Sequence, residues 1–211
     1  MTGLRESKKR RTREAIAQAA ADLFHERGFA EVTVDDVARA ADVSRQTVFN
    51  YFPTKEQMLF DREDEIGAAL LALVRDRPDG ASLVAAFRAH TREFWERFGR
   101  ILDGGGNTHG FWEIVEANSG LRDYAETSFA RQTISVGQEL AREWNRRADD
   151  PICHALTRAL CGVNVAILTC GLGRLTAGES HSAVVGDMIE QADRAYDLLE
   201  RGFGDYVPVQ P

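Results

Sequence analysis

Residues 33–56 read TVDDVARAADVSRQTVFNYFPTKE, and the spacing within this stretch decides the fold. Thr33 is placed to N-cap a helix with Asp36 at its third position, and Val34, Val37, Ala38 and Ala41 form one apolar stripe. The stripe lasts only two turns. Asp42 and Val43 follow, then Ser44 as a second N-cap, and the next helix runs until Pro53, which cannot continue it. Two short helices therefore meet at a tight turn. Val48 and Phe52, four residues apart, are placed to dock inward on Val37, Phe24 and Leu23. Arg45, Gln46, Thr47, Asn50 and Tyr51 are left facing outward.

The same reading extends in both directions. Ile16, Ala19, Ala20, Leu23 and Phe24 repeat at helical spacing from Thr12 to Arg27, and Gly28 is the stop. On the other side, Thr54 and Gln57 have capping-box spacing and open a helix expected to reach about Arg75, before Pro78 and Gly80. Ser82 to Leu102 is amphipathic, and Gly104-Gly105-Gly106-Asn107 reads as a break. Further helices are expected near 108–117, 121–147, 152–176 and 180–201. Alternating strand patterns with hairpin chemistry do not occur. The fold class is all-α, about nine helices: a three-helix helix-turn-helix domain over residues 1–56 and a helical bundle over 57–211.

Charge is divided along the same boundary. The first 13 residues carry Arg5, Lys8, Lys9, Arg10, Arg11 and Arg13 against Glu6 alone, whereas residues 57–211 hold 16 bases and 24 acids. A net charge of −7 would argue against a polyanion partner, but a basic tip on an acidic body suits one at that tip. The outward residues of the second short helix fit the same purpose. Arginine donates two hydrogen bonds to guanine, Gln or Asn pairs with adenine, and the threonine methyl meets thymine. Thr33, Ser44, Tyr51 and Lys55 stand near helix starts or the groove edge, where phosphate oxygens would lie. Two packed helices with solvated polar faces would share this spacing, so spacing alone leaves both readings open.

The order of residues adds what spacing cannot. Thr12-Arg13-Glu14-Ala15-Ile16, Leu23-Phe24, Arg27-Gly28-Phe29, Thr33 to Ala38, Ala41 to Ser44 and Thr47 to Glu56 together resemble the N-terminal domain of TetR-family regulators. The resemblance covers the first quarter of the chain. It implies a sequence-specific DNA-binding transcriptional regulator, a repressor by family habit, released from a palindromic operator by a small molecule. It assigns Arg45, Gln46, Thr47, Phe49 and Asn50 to bases and Thr33, Ser44, Tyr51 and Lys55 to phosphates, with Lys9, Arg10 and Arg11 as a basic arm on the backbone or minor groove. Three positions depart from the family pattern. Asp42 replaces the usual turn glycine, Phe49 replaces a common tyrosine and so removes a phosphate hydrogen bond, and Gln46 replaces a small residue, adding a base contact.

The resemblance also implies a homodimer through the last two helices, where Gly162, Gly171 and Gly173 stand among apolar residues. It further implies an effector pocket in the body. Phe94, Phe98, Phe111, Trp112, Tyr124, Phe129, Cys161 and Asn164 are its candidate lining, aromatic with few polar groups, for a small apolar or aromatic effector. Each of these taken singly also reads as core. No cofactor, metal or catalytic residue is expected. Cys161 and Cys170 fall on opposite helix faces, His90, His109, His154 and His181 lack zinc-enzyme spacing, and no nucleophile is paired with a base. An all-α enzyme or small-molecule carrier without DNA binding is the alternative, and it leaves residues 33–56 unexplained. No run approaches the ~18 apolar residues of a membrane span and the charged N-terminus lacks a signal pattern, so a cytoplasmic location and no membrane partner are expected.

Overall fold

The computed structural model describes residues 2–78, 80–103 and 109–203. These form ten helices: α1 (Thr2–Arg27), α2 (Val34–Ala40), α3 (Arg45–Tyr51), α4 (Glu56–Leu59), α5 (Glu63–Arg75), α6 (Leu83–Asp103), α7 (His109–Glu116), α8 (Ser119–Glu143), α9 (Pro151–Thr176) and α10 (His181–Phe203). The all-α class holds, and among the described residues there is no strand. The expected break at Gly104 to Asn107 lies outside the described residues.

Three boundaries differ from the sequence reading, each for a local reason. α1 begins ten residues early: its charged first turns are good helix formers, the Thr12 hydroxyl donates to the Lys8 carbonyl at 3.0 Å, and Arg10 pairs with Glu14 one turn on. The helix expected from Thr54 to Arg75 is divided in two at Phe60–Arg62. The reciprocal Thr54–Gln57 capping contacts do form, at 3.3 and 3.4 Å. α8 stops at Glu143 rather than Arg147 because Asn145 takes a left-handed conformation (φ 51°), which lets the Arg146 amide reach back to the Ala141 carbonyl at 2.7 Å.

The chain packs as two compact units, Met1–Asp64 with Gly110–Glu126, and Glu65–His109 with Thr127–Pro211. The first unit thus recruits α7 and the start of α8, which the chain-order division at residue 56 assigns to the body. Its core is Ile16, Ala20 and Phe24 of α1, Val37 and Ala38 of α2, Val48 of α3, then Phe52, Met58, Leu59, Val115 and Leu121. In the second unit α6, α9 and α10 pack together around Phe87, Trp95, Leu160, Leu172, Met188 and Tyr196. Gly171 makes the α9 approach possible, because a Cβ there would fall on the Trp95 ring and the Met188 side chain. Asp150 caps α9 by accepting from the Ile152 and Cys153 amides, both at 3.0 Å, with Pro151 as the first helical residue.

α9 corrects one expectation. By length and composition it is apolar enough to cross a membrane, with no charge between Arg158 and Arg174. One face of it is buried against α6 and α10. Opposite lies a row of small and apolar residues, Val165, Ala166, Thr169, Cys170 and Gly173, all exposed in the single chain.

Candidate nucleic-acid interface

The helix-turn-helix segment is held in place by caps, a turn and two cationic clasps. At the start of α2, the Thr33 hydroxyl accepts from the Asp36 amide at 3.2 Å while the Asp36 carboxylate accepts from the Thr33 amide at 3.0 Å. These hydrogen bonds to Thr33, helped by the nearby Arg27 and Arg39 guanidiniums, hold the Asp36 carboxyl down at about 2. The turn after α2 is a Schellman motif. The Asp42 amide reaches the Arg39 carbonyl at 3.3 Å and the Val43 amide reaches Ala38 at 3.0 Å, with Asp42 itself left-handed at φ 53°. Aspartate therefore does occupy the conformation for which glycine is the usual choice. Ser44 then caps α3, accepting from the Thr47 amide at 3.0 Å.

Val48 and Phe52 are fully buried, so the register of α3 is fixed by its inward face. Arg45, Gln46, Phe49 and Asn50 are exposed, Thr47 is half-buried, and Tyr51 packs against the core edge. The exposed groups already interact with one another. Arg45 pairs with Asp35 at 3.2 Å and lies 5.5 Å from the centre of the Phe49 ring, and the Gln46 amide donates to Asn50 at 3.1 Å. These solvent-exposed contacts pre-position the side chains and cost little to exchange for others.

The candidate phosphate residues fall into different situations. Lys9, Arg10 and Arg11 are exposed, and the arm they form is part of α1 rather than an extended tail. Thr33 and Ser44 spend their hydroxyls on capping. Lys55 turns inward: its ammonium donates to the Phe29 carbonyl at 2.6 Å and the Val32 carbonyl at 3.1 Å, and sits 4.1 Å from the centre of the Phe29 ring. It ties the start of α4 to the loop after α1.

Sequence reasoning passed over Arg13. Its guanidinium stacks 4.4 Å from the Phe52 ring centre and donates to the Tyr51 carbonyl at 3.2 Å and the Asp61 carbonyl at 2.9 Å. The end of α3 and the α4–α5 junction are thus fastened to α1. The signal was present in the spacing, since positions 13, 16, 20 and 24 share the inward face of α1. Asp35, the partner of Arg45, was also missed, because a surface ion pair across a turn leaves no periodic trace.

The residues proposed to line a pocket are divided between the two units. Phe111, Trp112 and Tyr124 belong to the first unit, where Phe60 packs edge-on to Phe111 (5.4 Å) and stacked on Tyr124 (5.0 Å). Phe94, Phe98, Phe129, Cys161 and Asn164 belong to the second. There Phe94 and Phe98 cluster with Trp95, and Asn164 accepts from the Thr91 hydroxyl, which also bonds the Tyr196 hydroxyl at 2.9 Å. Burial raises the Tyr196 phenol to about 12 and the Cys161 thiol to about 11, so both are neutral hydrogen-bonding groups at neutral pH. Thr91 and Tyr196 were not foreseen. Among the described residues, no three His, Cys, Asp or Glu side chains gather as a metal site.

Comparison with known proteins agrees with this geometry. Residues 16–61 match the family profile described as bacterial regulatory proteins, tetR family. The chain is 29% identical over 181 residues to the HTH-type transcriptional regulator TcmR of Streptomyces glaucescens, covering 70% of this chain and 79% of that protein. It is 28% identical over 146 residues to the HTH-type transcriptional repressor Rv3405c of Mycobacterium tuberculosis, covering 68% and 76%. The fold is similar to that of SmeT in its triclosan complex, with a TM-score of 0.57 at 19% identity over 95% of this chain and 98% of that one. A capped helix-turn-helix with an outward polar face, matched in sequence and in fold, places the chain in the TetR family of DNA-binding transcriptional regulators.

Proposed function

We propose that this regulator is a homodimeric repressor that reads a palindromic operator with α3 and is released from it by a small molecule bound in its second unit. The observation that carries the reading is α3 itself, a helix whose register is locked by Val48 and Phe52 and whose free face offers Arg45, Gln46, Thr47, Phe49 and Asn50. In this proposal those five approach bases. Lys9, Arg10, Arg11 and the Thr33, Ser44 and Tyr51 edges approach phosphates, with Lys55 acting chiefly by holding the loop after α1. Repression follows the relative Rv3405c, which is named a repressor.

The exposed row on α9 supports pairing with a second copy. A helix this apolar with one face uncovered needs a partner, and small residues at Ala166, Cys170 and Gly173 allow close approach of two α9–α10 pairs. A two-fold dimer would present two α3 helices to half-sites about one helical turn apart or a multiple of it. For the effector, the triclosan complex of SmeT supports a small-molecule site in this fold. The candidate residues in the second unit are Phe94, Phe98, Phe129, Cys161 and Asn164, joined by Thr91 and Tyr196, and they favour an apolar or aromatic molecule with a hydrogen-bonding group.

Selection of bound fragments from random duplexes tests the reading, followed by titration of the enriched sequence. A palindromic consensus bound by a dimer, with affinity falling steeply as salt rises, is the expected result. Equal affinity for the selected and random duplexes would overturn it.

A further inference from the structure

Asp35 stands in the first turn of α2 but takes no part in capping it. The cap is served by its neighbour Asp36, whose carboxylate accepts from the Thr33 amide and pairs with Arg39. The Asp35 carboxylate reaches across the turn to the next helix instead, where Oδ2 accepts from Arg45 Nη1 at 3.2 Å. One turn further along α3, the centre of the Phe49 ring lies 5.5 Å from the same guanidinium. Arg45 is thus held from two elements, by one nitrogen and by one face. Its Nε and Nη2 make no hydrogen bond among the described residues, and their N–H groups share the edge of the guanidinium that is left. A fork of this kind matches the O6 and N7 acceptors of guanine.

A free arginine on a DNA-facing helix is drawn to every phosphate it meets, which adds affinity without sequence information. Pairing with Asp35 matches that charge and weakens the long-range pull, whereas the directional donors on the free edge keep their geometry. With 60% and 54% of the two side chains exposed, the pair is worth little in water. Between protein and duplex, where water is displaced, the same contact strengthens. A carboxylate at this place also repels the phosphate backbone, a cost that falls on every duplex and is offset only where a guanine meets the fork. Given the proposed function, in which Arg45 approaches bases, we infer that Asp35 is a specificity-determining residue that acts through Arg45. It positions the guanidinium and offsets its charge, so that Nε and Nη2 read a guanine rather than a phosphate.

The full-length protein is titrated with the selected operator, its single base-pair variants and random duplex over a range of salt. Arg45→Ala marks the base pair that Arg45 reads, by flattening the preference there. Asp35→Asn is expected to lower the preference for guanine at that same pair by about fivefold or more. It should also bind random duplex about threefold more tightly, with a salt slope steeper by about one unit, because Arg45 is released to a phosphate. In the Arg45→Ala background, Asp35→Asn should change the preference at that pair no further. A carboxylate serving only the α2 dipole would give another pattern, weaker binding to all sequences alike with a lower urea midpoint. That pattern, a base other than guanine at the marked pair, an intact guanine preference or unchanged random binding in Asp35→Asn, or a loss of preference that persists without Arg45 would each overturn the inference. If Arg45→Ala left the whole base-preference profile unchanged, the base-reading role of Arg45 in the proposed function would itself fall, a result distinct from these.

Discussion

Asp36 carries the clearest pH dependence at the scale of single residues. Its carboxyl is held near 2 in the folded chain against an ordinary 3.8, so the ionised form is the one that stabilises α2. Because the folded value is depressed, that contribution is complete above pH 3.8 and is lost as pH falls toward 2. Amide exchange in α2 should therefore speed up over this window in the native protein, and Asp36→Asn should remove the pH dependence. Asp42 offers a second test. A left-handed conformation costs an ordinary L-residue about 1–2 kcal/mol, less for aspartate and nothing for glycine. Asp42→Gly is expected to hold or raise the melting temperature and Asp42→Val to lower stability by about 1–2 kcal/mol, as measured by urea unfolding. Lys55 makes two charge-assisted bonds, to the Phe29 and Val32 carbonyls. Lys55→Met keeps the stem on the Phe29 ring, and the loss of those bonds should cost about 1–3 kcal/mol in the same assay. A phosphate contact alone would leave unfolding unchanged and reduce only the salt dependence of DNA binding.

Among the elements, α3 and α9 both depend on what their inward faces permit. α3 has seven residues, too short to be stable alone, and is held by Val48 below, Ser44 at its start and Arg13 at its end. Arg13→Ala should therefore weaken every operator sequence alike by disordering the end of α3. Arg45→Ala or Gln46→Ala should cost about 1–3 kcal/mol on the best operator and relax preference at particular base pairs. Binding to a library of single base-pair variants separates the two patterns. In α9, Gly171→Ala pushes a methyl into the Trp95 ring and should destabilise the second unit by about 1–3 kcal/mol, read as a lower urea midpoint.

For the whole molecule, the proposed function requires two chains and two binding equilibria. Val165→Arg places a charge in the exposed α9 row and is expected to leave the helical circular-dichroism spectrum unchanged, convert dimer to monomer in sedimentation, and lower operator affinity at least tenfold. The proposed effector release must obey linkage. An effector that weakens operator binding tenfold must bind the operator complex tenfold more weakly than the free protein, a coupling of about 1.4 kcal/mol. Calorimetric titration of an inducer into free and operator-bound protein measures both sides, and equal affinities would mean that release takes another route.

The all-α class, the two short helices, their caps at Thr33 and Ser44 and the turn at Asp42 were all legible in the sequence. Each depends on residues within a few positions of one another, and helical periodicity reports which face is buried. The inward docking of Val48 and Phe52 was legible for the same reason. The candidate site was legible only in part. Arg45 to Asn50 could be read as an outward face, but the inward turn of Lys55 onto Phe29 and Val32, the Arg13 clasp and the Arg45–Asp35 pair join residues 10 to 48 positions apart. The tertiary structure also decided which aromatics keep company. Phe111, Trp112 and Tyr124 look like Phe94 and Phe98 in composition, yet in the first unit Phe111 and Tyr124 pack on Phe60 and Trp112 packs on Phe111. Local hydrogen bonds and periodicity are written in neighbouring residues, whereas the partner of a long cation or an aromatic ring is fixed only when distant segments pack.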